Sequence, residues 1–444
     1  MMLPELLSPA GTLRSMRYAF AYGADAVYAG MPRYSLRVRE NDFRKPEQFE
    51  QALSEARAQG RQFYLAANIA PHNDKVATFI RDIRPIVELG PDALIMSDPG
   101  LIMMVRETWP DMPVHLSVQA NAVNHATVRF WARQGIERVI LSRELSLREI
   151  EDIRAECPET EIEVFVHGAL CIAYSGRCLL SGYMNHRDSN QGACTNACRW
   201  SYQVSDARED LAGNILATDA MGSQPTLGEG PTTDRIMMLQ DPKQPERQLP
   251  AFEDEHGTYI MNSKDLRAVQ HVHRLTQAGV HSFKIEGRTK SHYYVARTAQ
   301  VYRRAIDDAV AGREFDMGLM DELEKLSHRG YTEGFYRRHV HDAYQEYENG
   351  TSQLGSQQFV GEIADVDRTR QQLVVAVKNR FSEGQTLELM TPDGNIRWQP
   401  DSIENRKGER TGVAPGSGHE VRIPMPEGLP DNLEYALLLR EGPA

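Results

Sequence analysis

No run of about 18 consecutive apolar residues occurs anywhere in the chain, which leaves no candidate for a membrane-spanning helix. The opening MMLPELLSPAG lacks a basic region followed by an apolar stretch, so no secretory signal is expected. The expectation is a cytoplasmic protein with no membrane partner. Cysteine is scarce, at five residues. An odd number in a chain without an export signal argues against structural disulfides and turns clustered cysteines toward metal binding or catalysis. Two protease signatures are also missing, the His-Glu-x-x-His zinc motif and the Gly-x-Ser-x-Gly elbow. A dispersed triad meets only in space, so sequence does not exclude it. Positive charge is in deficit, with a formal net charge of −12. That counts mildly against a nucleic-acid partner, although only the local patch matters.

Short apolar runs are what the chain does have. Seven of them, Glu5–Ala10, Ala26–Gly30, Phe63–Ile69, Ala93–Ser97, Val114–Gln119, Val139–Ser142 and Ile162–His167, alternate with amphipathic segments. Gly23, Gly60, Gly90 and Gly135 stand where helices should end. An eighth strand, His281–Gly287, and a helix, Ser291–Gly312, follow later. Seven units do not decide between an open sheet and a closed one, but eight favour a TIM-type (β/α)₈ barrel. No glycine-rich phosphate loop follows the first strand, which weakens a nucleotide-binding sheet. The barrel domain is expected over residues 1–345, with an insertion between strands seven and eight at about 168–260. The part from about Asp206 to Glu255 is rich in Gly, Pro, Asp and Thr and reads as irregular. A polar helical stretch to about Tyr344, a linker at 346–356 and a small all-β domain over 357–444 complete the expected organisation.

Four of the five cysteines fall in the insertion as Cys171-x6-Cys178-x15-Cys194-x3-Cys198. Thiolates are soft ligands, and four suit zinc or an iron–sulfur cluster. Zinc ribbons use tight Cys-x2-Cys knuckles, whereas a [4Fe-4S] cubane with one thiolate per iron tolerates wider gaps. The spacing favours the cluster over zinc, and leaves zinc or no metal open. Cys157 continues the stripe Leu147, Ile150, Ile153 and reads as core. The other four lie among Gly, Ser, Asn and Arg, just past strand seven, on the face where this fold does chemistry.

Polar residues gather at the same strand ends. Asn68 follows strand three, and Ser117, Gln119 and Asn121 alternate along strand five. Arg143 and Glu144 close strand six, His167 closes strand seven, and Lys284, Glu286 and Arg288 alternate on strand eight. Inward-facing Lys, Glu and Arg need partners or a polar pocket. The expected catalytic set is His167, Glu286, Gln119 and Asn121, with Arg143, Arg288, Lys284 and Asn68 for an anionic substrate. The alternative is a ring of salt bridges closing the barrel mouth.

The runs FVHGALCIAYSGRCLLSGY, GACTNACRW, KIEGR and SPAGTLRSMRYAFAYGADAVYAG resemble the collagenase-like, historically unassigned, peptidase family over essentially the whole chain. The resemblance implies a [4Fe-4S] cluster on Cys171, Cys178, Cys194 and Cys198, supplied by the iron–sulfur assembly machinery. It also implies a prephenate-dependent enzyme that makes 5-hydroxyuridine at the wobble position of tRNA, with prephenate as cosubstrate bound by the cationic set. Tyr174, Arg177 and Arg199 are then the expected RNA contacts, through stacking and phosphate neutralisation. A collagenase-like protease, or an RNA-binding protein with a structural cluster, are the competing readings.

Overall fold

The architecture is taken from a computed structural model. It describes residues 2–36, 42–171, 173–178, 180–181, 188–192, 194, 264–328, 330–337 and 355–442, and the backbone alone of strands within 203–258. Eight parallel strands close into a barrel: β1 (Glu5–Pro9), β2 (Ala26–Gly30), β3 (Gln62–Ala67), β4 (Ala93–Met96), β5 (Val114–Leu116), β6 (Arg138–Ile140), β7 (Glu161–Ala169) and β8 (Ser282–Ile285). Each pairs with the next, and β8 pairs with both β1 and β7. The helices α1 (Leu13–Ala21), α2 (Pro46–Ala58), α3 (Phe79–Val87), α4 (Pro99–Thr108), α5 (His125–Arg133), α6 (Leu147–Glu156), α7 (Val272–Gln277) and α8 (His292–Val310) lie between or after them. The expected barrel is therefore present. Its strands are legible because both faces are buried: β2 is buried at every position, and β1 and β3 at all but their first. Caps act where the sequence provides them. Ser146 and Glu149 form a reciprocal capping box at the start of α6, and Ser291 accepts the Tyr294 amide at the start of α8.

Three local expectations are corrected. Strand five ends at Leu116, because Val118–Ala120 turns in a 3-10 helix and Asn121 takes a left-handed conformation, φ 53°. The stretch expected to be irregular contains Gln203–Glu209, Ile215–Ala217, Arg235–Gln240, Gln248–Asp254 and Gly257–Thr258, paired as an antiparallel sheet. Its turn-rich composition masked the short strands between the turns. The helical stretch ends early: α9 spans Gly318–Glu324, and a two-residue strand, Tyr331–Thr332, follows. That strand joins the barrel sheet through Asp265–Arg267, which pairs antiparallel with the end of β7. Most of the expected linker lies outside the described residues.

The C-terminal strands, beginning with β9 (Gln357–Asp367), build a seven-stranded antiparallel sheet around a core of its own. This all-β unit is fastened to the barrel's helical layer. Met390, Leu437 and Leu439 belong to the barrel's hydrophobic core, and the Tyr22 hydroxyl donates to the Met390 and Tyr435 carbonyls at 3.0 Å. Between the two units Glu388, 1% exposed, binds Arg297 at 2.6 Å and Lys325 at 2.9 Å. Burial pushes the Glu388 carboxyl up, but the two cations outweigh it and hold it down at about 2. Among the described residues no helix is long and apolar enough to cross a membrane.

Candidate active site

The barrel interior is unusually charged. At its amino-terminal end Glu5 accepts from Arg138 at 2.5 Å, from the Tyr64 hydroxyl at 2.6 Å and from the Ser282 hydroxyl at 2.8 Å. One layer higher Glu163, fully buried, lies 3.5 Å from Arg138 and 2.8 Å from Lys284. Such groups persist inside a barrel only when paired, as these are. Burial draws the Lys284 ammonium below its ordinary range, against the opposing pull of Glu163.

Above this column a cavity opens at the carboxyl ends of the strands. Its floor is Lys284, and its walls include Tyr28, Asn68, Ser117, Gln119, Arg143, Phe165, Tyr174, Glu286 and Arg288. Cations and rings alternate across it. Arg288 lies 5.7 Å from the Tyr28 ring, Lys284 4.4 Å from Tyr28 and 5.6 Å from Phe165, and Arg143 3.8 Å over Phe165. Arg143 also holds Glu286 at 2.5 Å, and Arg288 donates to the Leu36 carbonyl at 2.6 Å. Asn68 donates to the Ser117 hydroxyl at 3.1 Å and accepts from the Leu36 amide at 3.3 Å.

Cys171, Cys178 and Cys194 line the same cavity, and none is in a disulfide. They face it without meeting at one point: among the described residues no three His, Cys, Asp or Glu side chains gather closely enough to hold a metal ion. Cys198 and Arg199 lie outside the described residues. Cys157 is 4% exposed at the end of α6, in the core. The donor set, three thiols converging on a cavity with cationic walls, suits a thiolate-ligated cluster.

The structure thus brings Asn68, Gln119, Arg143, Lys284, Glu286, Arg288 and Tyr174 to one cavity with three cysteines. Tyr174 is half exposed at the mouth, beside exposed Arg177. Two expected residues are not brought in. Asn121 supports the cysteine segment from behind, donating to the Ser175 carbonyl at 2.7 Å. His167 is 1% exposed among Tyr294, Tyr302 and Tyr331, with its Nδ1 3.3 Å from the Tyr302 hydroxyl. Burial, with Arg267 and Lys290 nearby, lowers its pKa to about 3, so it is neutral. A register shift explains its direction. Phe165 and His167 pair with the adjacent Lys284 and Ile285, so an extra residue in β7 flips the alternation. Sequence reasoning missed Glu163 and Phe165. The same alternation that flagged strand eight was available in Glu161-Ile162-Glu163-Val164-Phe165.

Comparison with known proteins bears on this site. Residues 11–346 match peptidase family U32, and residues 355–440 match its C-terminal domain. Over 444 residues the chain is 63% identical to the tRNA hydroxylation protein P of Escherichia coli (strain K12), covering 99% of this chain and 97% of that one. The Haemophilus influenzae protein of the same name is 59% identical, with 98% and 96% covered. A 23S rRNA 5-hydroxycytidine synthase of Escherichia coli is 26% identical, over 98% of this chain and 60% of its own length.

Proposed function

The chain belongs to peptidase family U32, and we propose that it is a tRNA hydroxylase that forms 5-hydroxyuridine at the wobble position with prephenate as cosubstrate. The observation that carries this reading is one cavity, at the catalytic end of a barrel, lined by Cys171, Cys178, Cys194, Arg143, Lys284 and Arg288. Full-length relatives named for tRNA hydroxylation support the substrate.

In this reading Cys171, Cys178, Cys194 and Cys198 hold a [4Fe-4S] cluster. Such a cluster supplies one-electron chemistry and a Lewis-acidic iron. The protein's own residues bind and orient. Arg143 and Arg288 present planar forks that match carboxylates, the two charged groups of prephenate. Lys284, committed to Glu163, contributes field from the floor. Asn68, Ser117 and Gln119 offer neutral donors and acceptors along one wall. Tyr174 at the mouth gives an unstacked uridine a ring to lie on, and Arg177 beside it takes a phosphate. An anticodon loop makes that unstacking cheap. Supply by the iron–sulfur assembly machinery and a cytoplasmic location follow from this chemistry.

The test is mass spectrometry of tRNA nucleosides from cells lacking the gene. The expected result is loss of 5-hydroxyuridine and its derivatives, restored by the wild-type gene and not by Cys171→Ser. Unchanged 5-hydroxyuridine in the deletion, with no second enzyme present, rejects the reading.

A further inference from the structure

Asn121 does not itself line the cavity, yet it stands at the meeting point of two loops. It ends the 3-10 turn after β5 in a left-handed conformation. Its amide nitrogen donates both to its own turn, at the Gln119 carbonyl (3.2 Å), and across the chain to the Ser175 carbonyl (2.7 Å). Ser175 is 6% exposed and lies between Cys171 and Cys178. The next residue, Gly176, has φ +74°, and its backbone rests directly on Gln119: a Cβ there would stand 2.8 Å from Gln119 Oε1 and 2.9 Å from its carbonyl oxygen. A backbone oxygen cannot swing aside, so only glycine permits this approach.

The same loop is braced from its other end. The Cys178 carbonyl accepts from the Ser189 hydroxyl at 2.6 Å and the Asn190 amide at 3.2 Å. Asn190 in turn accepts from the Ala70 amide at 3.0 Å, in the loop after β3. The Cys171–Cys178 loop is therefore tied to two barrel loops, directly to the one after β5 and through Asn190 to the one after β3.

We propose that the Ser117–Asn121 turn is the cradle that sets the position of Cys171 and Cys178, with Asn121 as a positioning residue that acts through the Ser175 carbonyl and Gly176 as the point of contact. This rests on the cluster reading above but does not restate it: the cradle exists in the protein chain whether or not a cluster is loaded. Held cysteines lose less freedom when they ligate. A released loop also exposes a cluster to oxygen and makes the free thiols easier to modify.

Three variants separate the parts of the cradle. Asn121→Asp keeps the shape and the left-handed conformation but replaces the donor with a carboxylate facing a carbonyl. Asn121→Gly keeps the backbone and removes the side chain. Gly176→Ala lifts the loop from Gln119. Each is compared with wild type in two arms. In the metal-free arm, iodoacetamide labelling of Cys171 and Cys178 is followed by mass spectrometry, with buried Cys157 as the internal measure of global folding. Labelling of half-buried Cys178 should rise about fivefold, the factor for one lost hydrogen bond, while exposed Cys171 labels fast throughout and Cys157 stays slow. In the loaded arm, anaerobically reconstituted protein should bleach in air about fivefold faster and give a shifted electron paramagnetic resonance signal after reduction. Wild-type Cys178 labelling rates and spectra in all three variants overturn the cradle, as does faster labelling of Cys157 in step with Cys178. A wild-type protein that takes up no iron and sulfide instead rejects the cluster reading, and the labelling arm still judges the cradle.

Discussion

Replacing Arg143 with alanine is the sharpest probe of the cavity, because the structure gives that arginine two duties. Its guanidinium lies 3.8 Å over the Phe165 ring and holds Glu286 at 2.5 Å, while the residue lines the cavity. Removing it deletes a charged hydrogen-bond donor to a carboxylate ligand, worth about 1.5–3 kcal/mol. It also uncovers the Glu286 carboxylate, which then faces a dianion. The two effects add in sign, so Arg143→Ala should weaken prephenate binding by about 3 kcal/mol, roughly 150-fold. Glu286→Gln added to that variant removes the repulsion and should recover about 1.5 kcal/mol, roughly tenfold. Arg143→Lys should rescue little, since a point charge replaces a planar fork that both stacks and bridges. Calorimetric titration of prephenate into folded, cluster-loaded protein reads all four affinities. If Arg143 only closes the barrel mouth with Glu286, the single variant loses thermal stability and keeps wild-type affinity. That outcome removes Arg143 from the ligand site.

Other consequences are equally open to measurement. Replacing any of Cys171, Cys178, Cys194 or Cys198 by serine should remove most of the iron from anaerobically purified protein, while Cys157→Ser retains it; stoichiometric zinc without iron in the wild type would sink the cluster. Glu388, held at about 2 against an ordinary 4.5, contributes stability in full above pH 4.5, and that contribution fades as the pH falls through about 2. Thermal melts should show a loss of about 3 kcal/mol across that window, and a flat profile there rejects the assignment. Tyr174→Ala should weaken tRNA binding by about 1–3 kcal/mol and Tyr174→Phe should spare it, because stacking needs the ring and not the hydroxyl. Arg177→Ala should lower the slope of log affinity against log salt by about 1 unit, as expected for one lost phosphate contact; an unchanged slope places the RNA elsewhere.

The barrel was legible because its strands are short runs buried on both sides, a pattern that survives without knowledge of neighbours. Where side chains point was harder, because direction depends on pairing. Lys284, Glu286 and Arg288 do reach one cavity, although β8 ends at Ile285 and the last two follow it. His167 does not, because the extra residue in β7 reverses its side, and nothing in the run Val164-Phe165-Val166-His167 marks a bulge. Gln119 and Asn121 shared an alternation that looks like a strand. The chain turns after Leu116 instead, and an asparagine tolerates the left-handed conformation that ends the turn. The antiparallel strands of the insertion were hidden by the glycines and prolines around them. Cys171, Cys178 and Cys194 stood out as a group because no apolar stripe accounts for them, and the three do line one cavity.

The charge arrangement explains how one small cavity tolerates three cations. Like charges this close repel strongly in a low dielectric unless something intervenes. Here two of the three pairs share a ring, Tyr28 beside both Arg288 and Lys284 and Phe165 beside both Lys284 and Arg143, and ring faces are negative. Two carboxylates then divide the work. Glu163 sits below and neutralises Lys284, and Glu286 sits at the rim and neutralises part of Arg143. Lys284 is enclosed by Glu163 and the two rings, so it cannot turn to a ligand without abandoning a fully buried carboxylate. The planar forks of Arg143 and Arg288 are the groups in the cavity whose shape matches a carboxylate. The lysine's part is to raise the potential at the floor. The charged column beneath it, from Glu163 through Arg138 to Glu5, keeps that lysine fixed. A barrel filled with leucine and valine at those layers would pack as well, but it would leave the cavity floor without a charge.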